Sequence, residues 1–227
     1  MLEEIRKRVY DLLNEDTSGH GMDHINRVYT LALKFAEEEN ANKEIVAIIT
    51  LLHDVDDYKL FGEESAKNLT NAKRIMQEVN VDSAIQEKVI SEIKKLGYSK
   101  RLKGLEPSTL EGKIVSDADM CDGIGATGII RVHSYGMKIN RPFFNPDVFP
   151  TDELDAEHHT RGNSSSINFI IASLLEYKNK MLTNAGTKEA LKRHEIIVEF
   201  LYRYFEEENA TAWTAYLKDY LEKIEEK

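Results

Sequence analysis

The chain has 227 residues, 41% hydrophobic and 31% charged, with a formal net charge of −10 and a pI near 5.3. The apolar fraction is enough for a real core and argues against wholesale disorder, and the length favours one domain or a domain with an elaborated lobe. An acidic surface repels a phosphate backbone, which excludes a broad nucleic-acid-binding face; a small phosphorylated ligand stays open, because a local cluster of cations can outweigh the global field.

In chain order, Leu2, Ile5, Val9, Leu12 and Leu13 recur at helical spacing and predict a first helix to about Asn14. This charged start, Met1 to Tyr10, lacks the apolar segment and small-residue cleavage site of a signal peptide. Asp16, Thr17, Ser18 and Gly19 break the helix and offer caps for the next. Ile25, Val28, Leu31, Ala32 and Phe35 mark one apolar face from about Met22 to Glu39. Glu44 to His53 is apolar almost throughout, which predicts a buried helix ending at His53-Asp54.

Further helices are expected from about Glu63 to Val79 and Ser83 to Leu96, then a loop from Gly97 to Pro107. Ser108-Thr109 cap a helix that carries Asp117 to Asp122. Pro142, Pro146 and Pro150 fall between Met137 and Arg161, which predicts a long irregular lobe or lid. Helices resume over about Ser164–Leu182, Thr187–Glu208 and Thr211–Ile224. Strand-like alternation is nearly absent, so the fold class is all-α. No run approaches the roughly 18 apolar residues of a membrane span, and no membrane partner is expected. The single cysteine, Cys121, excludes an internal disulfide and fits a reducing compartment; a cytoplasmic location is expected.

Polar groups placed where burial is predicted need a reason. His53-Asp54 closes an apolar helix, where an unpaired carboxylate is costly and a cation or several donors must meet it. A divalent metal satisfies both neighbours at once, and imidazole with carboxylate suits Mn, Fe, Co, Ni or Zn better than Ca. Capping or a surface ion pair also fits the dipeptide alone. Asp117-Ala118-Asp119 follows Leu110, Ile114 and Val115 on an apolar helix, so at least one carboxylate points inward. A rotation of about 100° per residue puts Asp117 and Asp119 on different faces: one suits an ion, the other the orientation of a histidine.

His24, the doublet His53-Asp54 and the distant Asp119, in this order on three helices, resemble the HD superfamily of metal-dependent phosphohydrolases. The stretches that carry the likeness are His24-Ile25-Asn26-Arg27-Val28, Leu51-Leu52-His53-Asp54 and Asp117-Ala118-Asp119. A bacterial subgroup associated with nucleotide pyrophosphohydrolysis is similar further along. There the cues are His20-Gly21-Met22-Asp23-His24, Asp56-Asp57-Tyr58-Lys59, Gly123 to Ile129 and Ser166-Ile167-Asn168. The chain departs from that subgroup at Met120-Cys121 and at Phe169, Ile170, Ala172 and Ser173, none of which is a proposed ligand.

The resemblance implies a single HD-type helical bundle over residues 1–227, with a metal-binding core at about 15–125 and a helical, irregular, lid-like lobe at about 126–227. It implies one divalent ion (Mn, Fe, Co, Ni, Mg or Zn) on His24, His53, Asp54 and Asp119. The implied substrate is a small phosphorylated molecule, a nucleotide, whose phosphoester or phosphoanhydride is hydrolysed. Asp57, with Asp56 behind it, is the candidate general base or water-orienting group, though a solvated turn carboxylate fits as well. Lys59 and Arg27 are the candidate phosphate-binding cations. His20 is expected either to touch substrate or to make a helix-start hydrogen bond, and Asp122 to contact a sugar hydroxyl or orient water. Phe143, Phe144, Phe149 and Tyr58 suit core or lid packing, or stacking on a base.

His133, His158, His159 and His194 lack metal-ligand spacing. The absence of any histidine between His53 and His133 argues against two- or three-metal relatives of the same scaffold. An alarmone-type hydrolase and a regulatory, non-catalytic HD domain remain as alternatives, and a homodimer stays open.

Overall fold

The structure, a computed structural model, describes residues 1–16, 19–101, 104–150 and 164–225. His158 and His159 lie outside the described residues, as do the capping candidates Thr17 and Ser18. The chain divides into two compact units: residues 1–122 with 182–186, and residues 123–181 with 187–227. Among the described residues every regular element is a helix. No helix there is long and apolar enough to cross a membrane.

The first unit is built on three mutually packed helices. Helix α2 (Met22–Glu38) buries Ile25, Val28, Ala32, Phe35 and Ala36 as a stripe at helical spacing. Helix α3 (Lys43–Leu52) is buried from Ile45 onward on every face, because its sequence offers water no polar side. Asn42 caps its start, its side chain accepting from the Glu44 and Ile45 amides at 3.0 and 3.2 Å. Helix α8 (Leu110–Asp122) is the third, and α2, α3 and α8 all touch one another. Around them pack α1 (Leu2–Leu13), through Ile5, Val9 and Leu13, and α6 (Ser83–Ile93), through Val89 and Ile93.

The expected helix over Glu63 to Val79 is two helices. Helix α4 (Tyr58–Asn68) starts at Asp57, whose carboxylate accepts the Lys59 amide at 2.9 Å. It kinks at Gly62, which adopts φ +82°, a region closed to most side chains. Leu69 then turns left-handed at φ +52° and separates α4 from α5 (Thr70–Glu78). A leucine cannot cap α5, so Asp56 does it from a distance: its oxygens accept the Asn71 and Ala72 amides at 2.9 Å each and the Ser65 hydroxyl at 2.5 Å. The expected loop after Gly97 also contains a short helix, α7 (Tyr98–Arg101).

The second unit holds α9 (Gly125–Lys138), α10 (Ser166–Ala172), a 3₁₀ turn (Leu174–Lys180), most of α11 (Asn184–Glu207) and α12 (Thr211–Glu225). One continuous helix over Ser164 to Leu182 was the expectation; the 3₁₀ turn replaces its second half. The aromatic residues of the predicted irregular lobe anchor it. Phe149 stacks on Trp213 at 4.4 Å, Phe144 meets the same indole edge-on at 5.0 Å, and Trp213 Nε1 donates to the Pro146 carbonyl at 2.9 Å. These rings are packing groups of the second unit. Tyr58, in the first unit, is exposed.

Candidate metal centre

Three segments of the first unit bring their polar side chains to one place. Helix α2 enters through Gly21, where any Cβ would come within 2.4 Å of the Asp16 carbonyl oxygen; only glycine permits this approach. One turn in, His24 is almost wholly buried. The apolar α3 delivers His53 as its C-terminal flanking residue, with Asp54 next. Asp119 comes from α8 and is partly exposed.

Nε2 of His24 is the hub. Nε2 of His53 lies 3.2 Å away, Asp54 Oδ2 3.4 Å and Asp119 Oδ1 3.5 Å. His24, His53 and Asp119 each offer a ligand atom, and these atoms lie within 4.8 Å of one another. Asp54 stands at the edge of this group: its Oδ2 is 3.5 Å from His53 Nε2 but is hydrogen-bonded to His20 Nδ1 at 2.8 Å.

The other nitrogen of each imidazole tests whether the group fits a cation. His53 Nδ1 is 2.7 Å from the Thr50 carbonyl, which can only accept, so Nδ1 carries the hydrogen. His24 Nδ1 is 2.7 Å from Asp122 Oδ2, a carboxylate oxygen, so again Nδ1 carries it. In the neutral form of each ring held this way the lone pair lies on Nε2, and the two Nε2 atoms face each other with two carboxylate oxygens beside them. That donor set suits a divalent transition ion, and ligating histidines characteristically donate their second nitrogen to a carboxylate or carbonyl.

The electrostatics agree. Burial pulls the His24 imidazole down, but hydrogen bonds to Asp122 and Asp54 and the charge of Asp119 outweigh it and hold the pKa at about 9. Burial raises the Asp54 carboxyl, yet the charge of His53 and the hydrogen bonds of His20 and His24 keep it well below the usual carboxylate range. For His20, burial lowers the imidazole while Asp54 and then Asp57 raise it, with a net upward shift. Concentrated negative charge draws protons onto His20 and His24 wherever no metal cation takes their place.

The remaining expected site residues divide into two sets. His20 precedes α2, so it does not share a helix face with His24; its side chain pairs with Asp54 and its amide donates to Asp16 Oδ2 at 3.1 Å. Asp57 caps α4 near enough for its charge to act on His20. Lys59 is exposed, with Nζ 5.7 Å from the Tyr58 ring. Arg27 and Asp122 are brought to each other: Nε donates to Oδ1 at 2.7 Å and Nη2 to Oδ2 at 3.1 Å, while Nη1 donates to Asp23 at 3.0 Å. Asp56 is not part of the cluster, its carboxylate being engaged by α4 and α5 as described.

The histidine-orienting role expected of the second carboxylate on α8 does not fall to Asp117. That side chain is fully buried and accepts the Leu182 and Thr183 amides and the Thr183 hydroxyl at 2.7–2.9 Å. It ties residues 182–186 into the first unit, and Asp122, one turn beyond Asp119, meets His24 instead. A residue outside the expectations is Lys100 on α7: burial lowers its ammonium pKa, opposed by the charge of Asp57. Met120 and Cys121, where the chain departs from the subgroup, are core residues of α8.

Comparison with known proteins follows the same lines. The HD domain family model matches residues 21–124, the stretch that holds His24, His53, Asp54 and Asp119. YpgQ of Bacillus subtilis is 30% identical over 200 residues, covering 88% of this chain and 89% of that protein. Among solved structures, a Lactobacillus plantarum protein superposes with a TM-score of 0.77 at 29% identity, covering 92% of this chain and 97% of the other. An HD-superfamily hydrolase from Bacillus thuringiensis gives 0.73 at 30% identity with the same coverage. YpgQ crystallised in complex with ADP gives 0.68 at 25% identity, covering 91% and 94%. With a histidine from one helix, a His-Asp doublet ending a second and an aspartate from a third gathered at one point, the chain belongs to the HD domain family of hydrolases.

Proposed function

We propose that this protein is a single-metal phosphohydrolase acting on a small phosphorylated substrate, with nucleotides as the substrate class. The observation that carries the reading is the pair of imidazole Nε2 atoms facing each other at 3.2 Å with Asp54 and Asp119 oxygens alongside. Two lone pairs and two carboxylates in so small a space call for a shared cation. His24, His53, Asp54 and Asp119 are the residues assigned to hold it. When bound, a divalent ion supplies Lewis-acid polarisation of a phosphoryl oxygen and a water of lowered pKa.

The chain's own residues do the rest. Asp57 orients the attacking water and accepts its proton. Lys59, His20 and the solvent-facing edge of Arg27 bind phosphate oxygens, and Lys100 adds a partly buried cation on the Asp57 side. Asp56 belongs to the fold. The choice of nucleotides as the substrate class draws on YpgQ, the relative crystallised with ADP.

The test is a screen of nucleoside triphosphates, nucleotides, alarmones and generic phosphoesters with Mn²⁺, Co²⁺, Ni²⁺, Mg²⁺ or Zn²⁺, quantifying phosphate and pyrophosphate separately. Metal-dependent release from a nucleotide is the expected outcome. Release from alarmones alone would move the substrate class. A protein that binds metal yet hydrolyses no phosphate ester would be a regulatory HD domain, and one that binds no metal would remove the reading altogether.

A further inference from the structure

Asp122 is only 2% exposed, and residues of α2 reach both of its oxygens. Oδ2 faces His24 Nδ1 at 2.7 Å, and both oxygens receive the Arg27 guanidinium, at 2.7 and 3.1 Å. His24 and Arg27 are one turn apart on α2; Asp119 and Asp122 are one turn apart on α8. The contact therefore braces the two helices at the level where each presents a side chain to the cluster.

Its chemistry is directional. Both carboxylate oxygens accept N–H groups of the Arg27 guanidinium, which marks the carboxylate as the acceptor side of its contacts. Its partner nitrogen on His24 must then be the donor, which leaves the ring's lone pair on Nε2, the atom at the centre of the cluster. Resting on the metal-site reading above, we infer that Asp122, braced by Arg27, is a positioning residue that locks His24 in the Nδ1–H tautomer and aims Nε2 at a divalent ion.

The experiment is a calorimetric titration of Mn²⁺ into metal-free protein for wild type, Asp122→Asn, Arg27→Gln and the double variant, each checked for folding by circular dichroism. An asparagine can turn its amide NH₂ toward His24, which releases the tautomer. Asp122→Asn should weaken Mn²⁺ binding by about 10–100-fold, the range for loss of a ligand's outer partner. Arg27→Gln should weaken it several-fold, and adding it to Asp122→Asn should cost less than the product of the two, because Arg27 acts through Asp122. Long-range ¹H–¹⁵N spectra of the Zn²⁺-loaded protein should show His24 protonated at Nδ1 in wild type, and that pattern weakened in Asp122→Asn; a merely structural role would not move it.

Mn²⁺ affinity of Asp122→Asn within about twofold of wild type would overturn the inference while leaving the metal site standing. Should Asp122→Asn fail to fold, Arg27→Gln decides, and an unchanged affinity there overturns it equally. A wild-type protein that takes up no Mn²⁺ or Zn²⁺ would defeat the metal reading itself, and the inference with it.

Discussion

Each unit buries a histidine, and the two are shifted in opposite directions. His24 in the first unit, 2% exposed, is surrounded by the carboxylates of Asp54, Asp119 and Asp122 and held at about pKa 9. His194 in the second unit, 8% exposed, is pushed down to about 4, by burial first and then by the charge of Lys178. Its Nδ1 has no hydrogen-bond partner among the described residues. Burial alone makes a histidine a neutral core residue; burial among acidic groups makes it a cation or a cation's ligand. The same contrast runs through the two interiors. In the first unit apolar helices isolate a knot of charge, whereas in the second Trp213, Phe144, Phe149, Tyr204 and Phe205 close on one another through ring contacts.

The largest expected effect would break the contrast at the charged centre. Asp54→Ala should reduce divalent-metal affinity by more than the roughly 100-fold that loss of an outer partner costs. Metal analysis of the purified variant and its phosphate release both check this, and retained turnover would leave the centre without its proposed ligand set. At the aromatic centre, Trp213→Ala should lower unfolding free energy by about 3–5 kcal/mol through lost burial and the cavity left behind, read from a urea midpoint.

Asp117 sharpens the comparison within a single helix. It lies two residues from Asp119 but serves structure, so Asp117→Ala should cost about 3 kcal/mol by leaving the half-buried Leu182 and buried Thr183 amides without acceptors. A variant whose urea midpoint matched wild type would contradict that role. The pH dependence of His194 is a still smaller test. Its folded pKa of about 4 lies below its ordinary 6.5, so the unfolded chain takes the proton first. Stability from this group is complete above about pH 6.5 and falls as pH drops toward 4. His194→Leu should flatten that part of the acid limb, and a limb of unchanged slope would show that other groups govern it.

Legibility in the sequence followed locality. The apolar run of α3 and its end at His53, the stripe of α2 and the start of α8 after Ser108-Thr109 were all readable, because helix periodicity and caps are written in adjacent residues. The break at Leu69 was not, since a leucine at positive φ gives no local warning and the cap for α5 comes from Asp56, on the far side of α4. The short α7, and with it the partly buried Lys100, was hidden in a stretch whose glycines and proline read as loop.

At the site, residue type and order pointed to His24, His53, Asp54 and Asp119, and the turn of a helix was enough to say that Asp117 and Asp119 face different ways. The family resemblance chose Asp119 over Asp117; that Asp117 holds the Leu182 and Thr183 amides, and that Asp122 closes on His24 and Arg27, came only with the tertiary packing. Periodicity and chemical character are properties of neighbouring residues and are set by the chain itself. The partner that Asp122 finds lies nearly a hundred positions away, and such contacts exist only once the helices have closed around them.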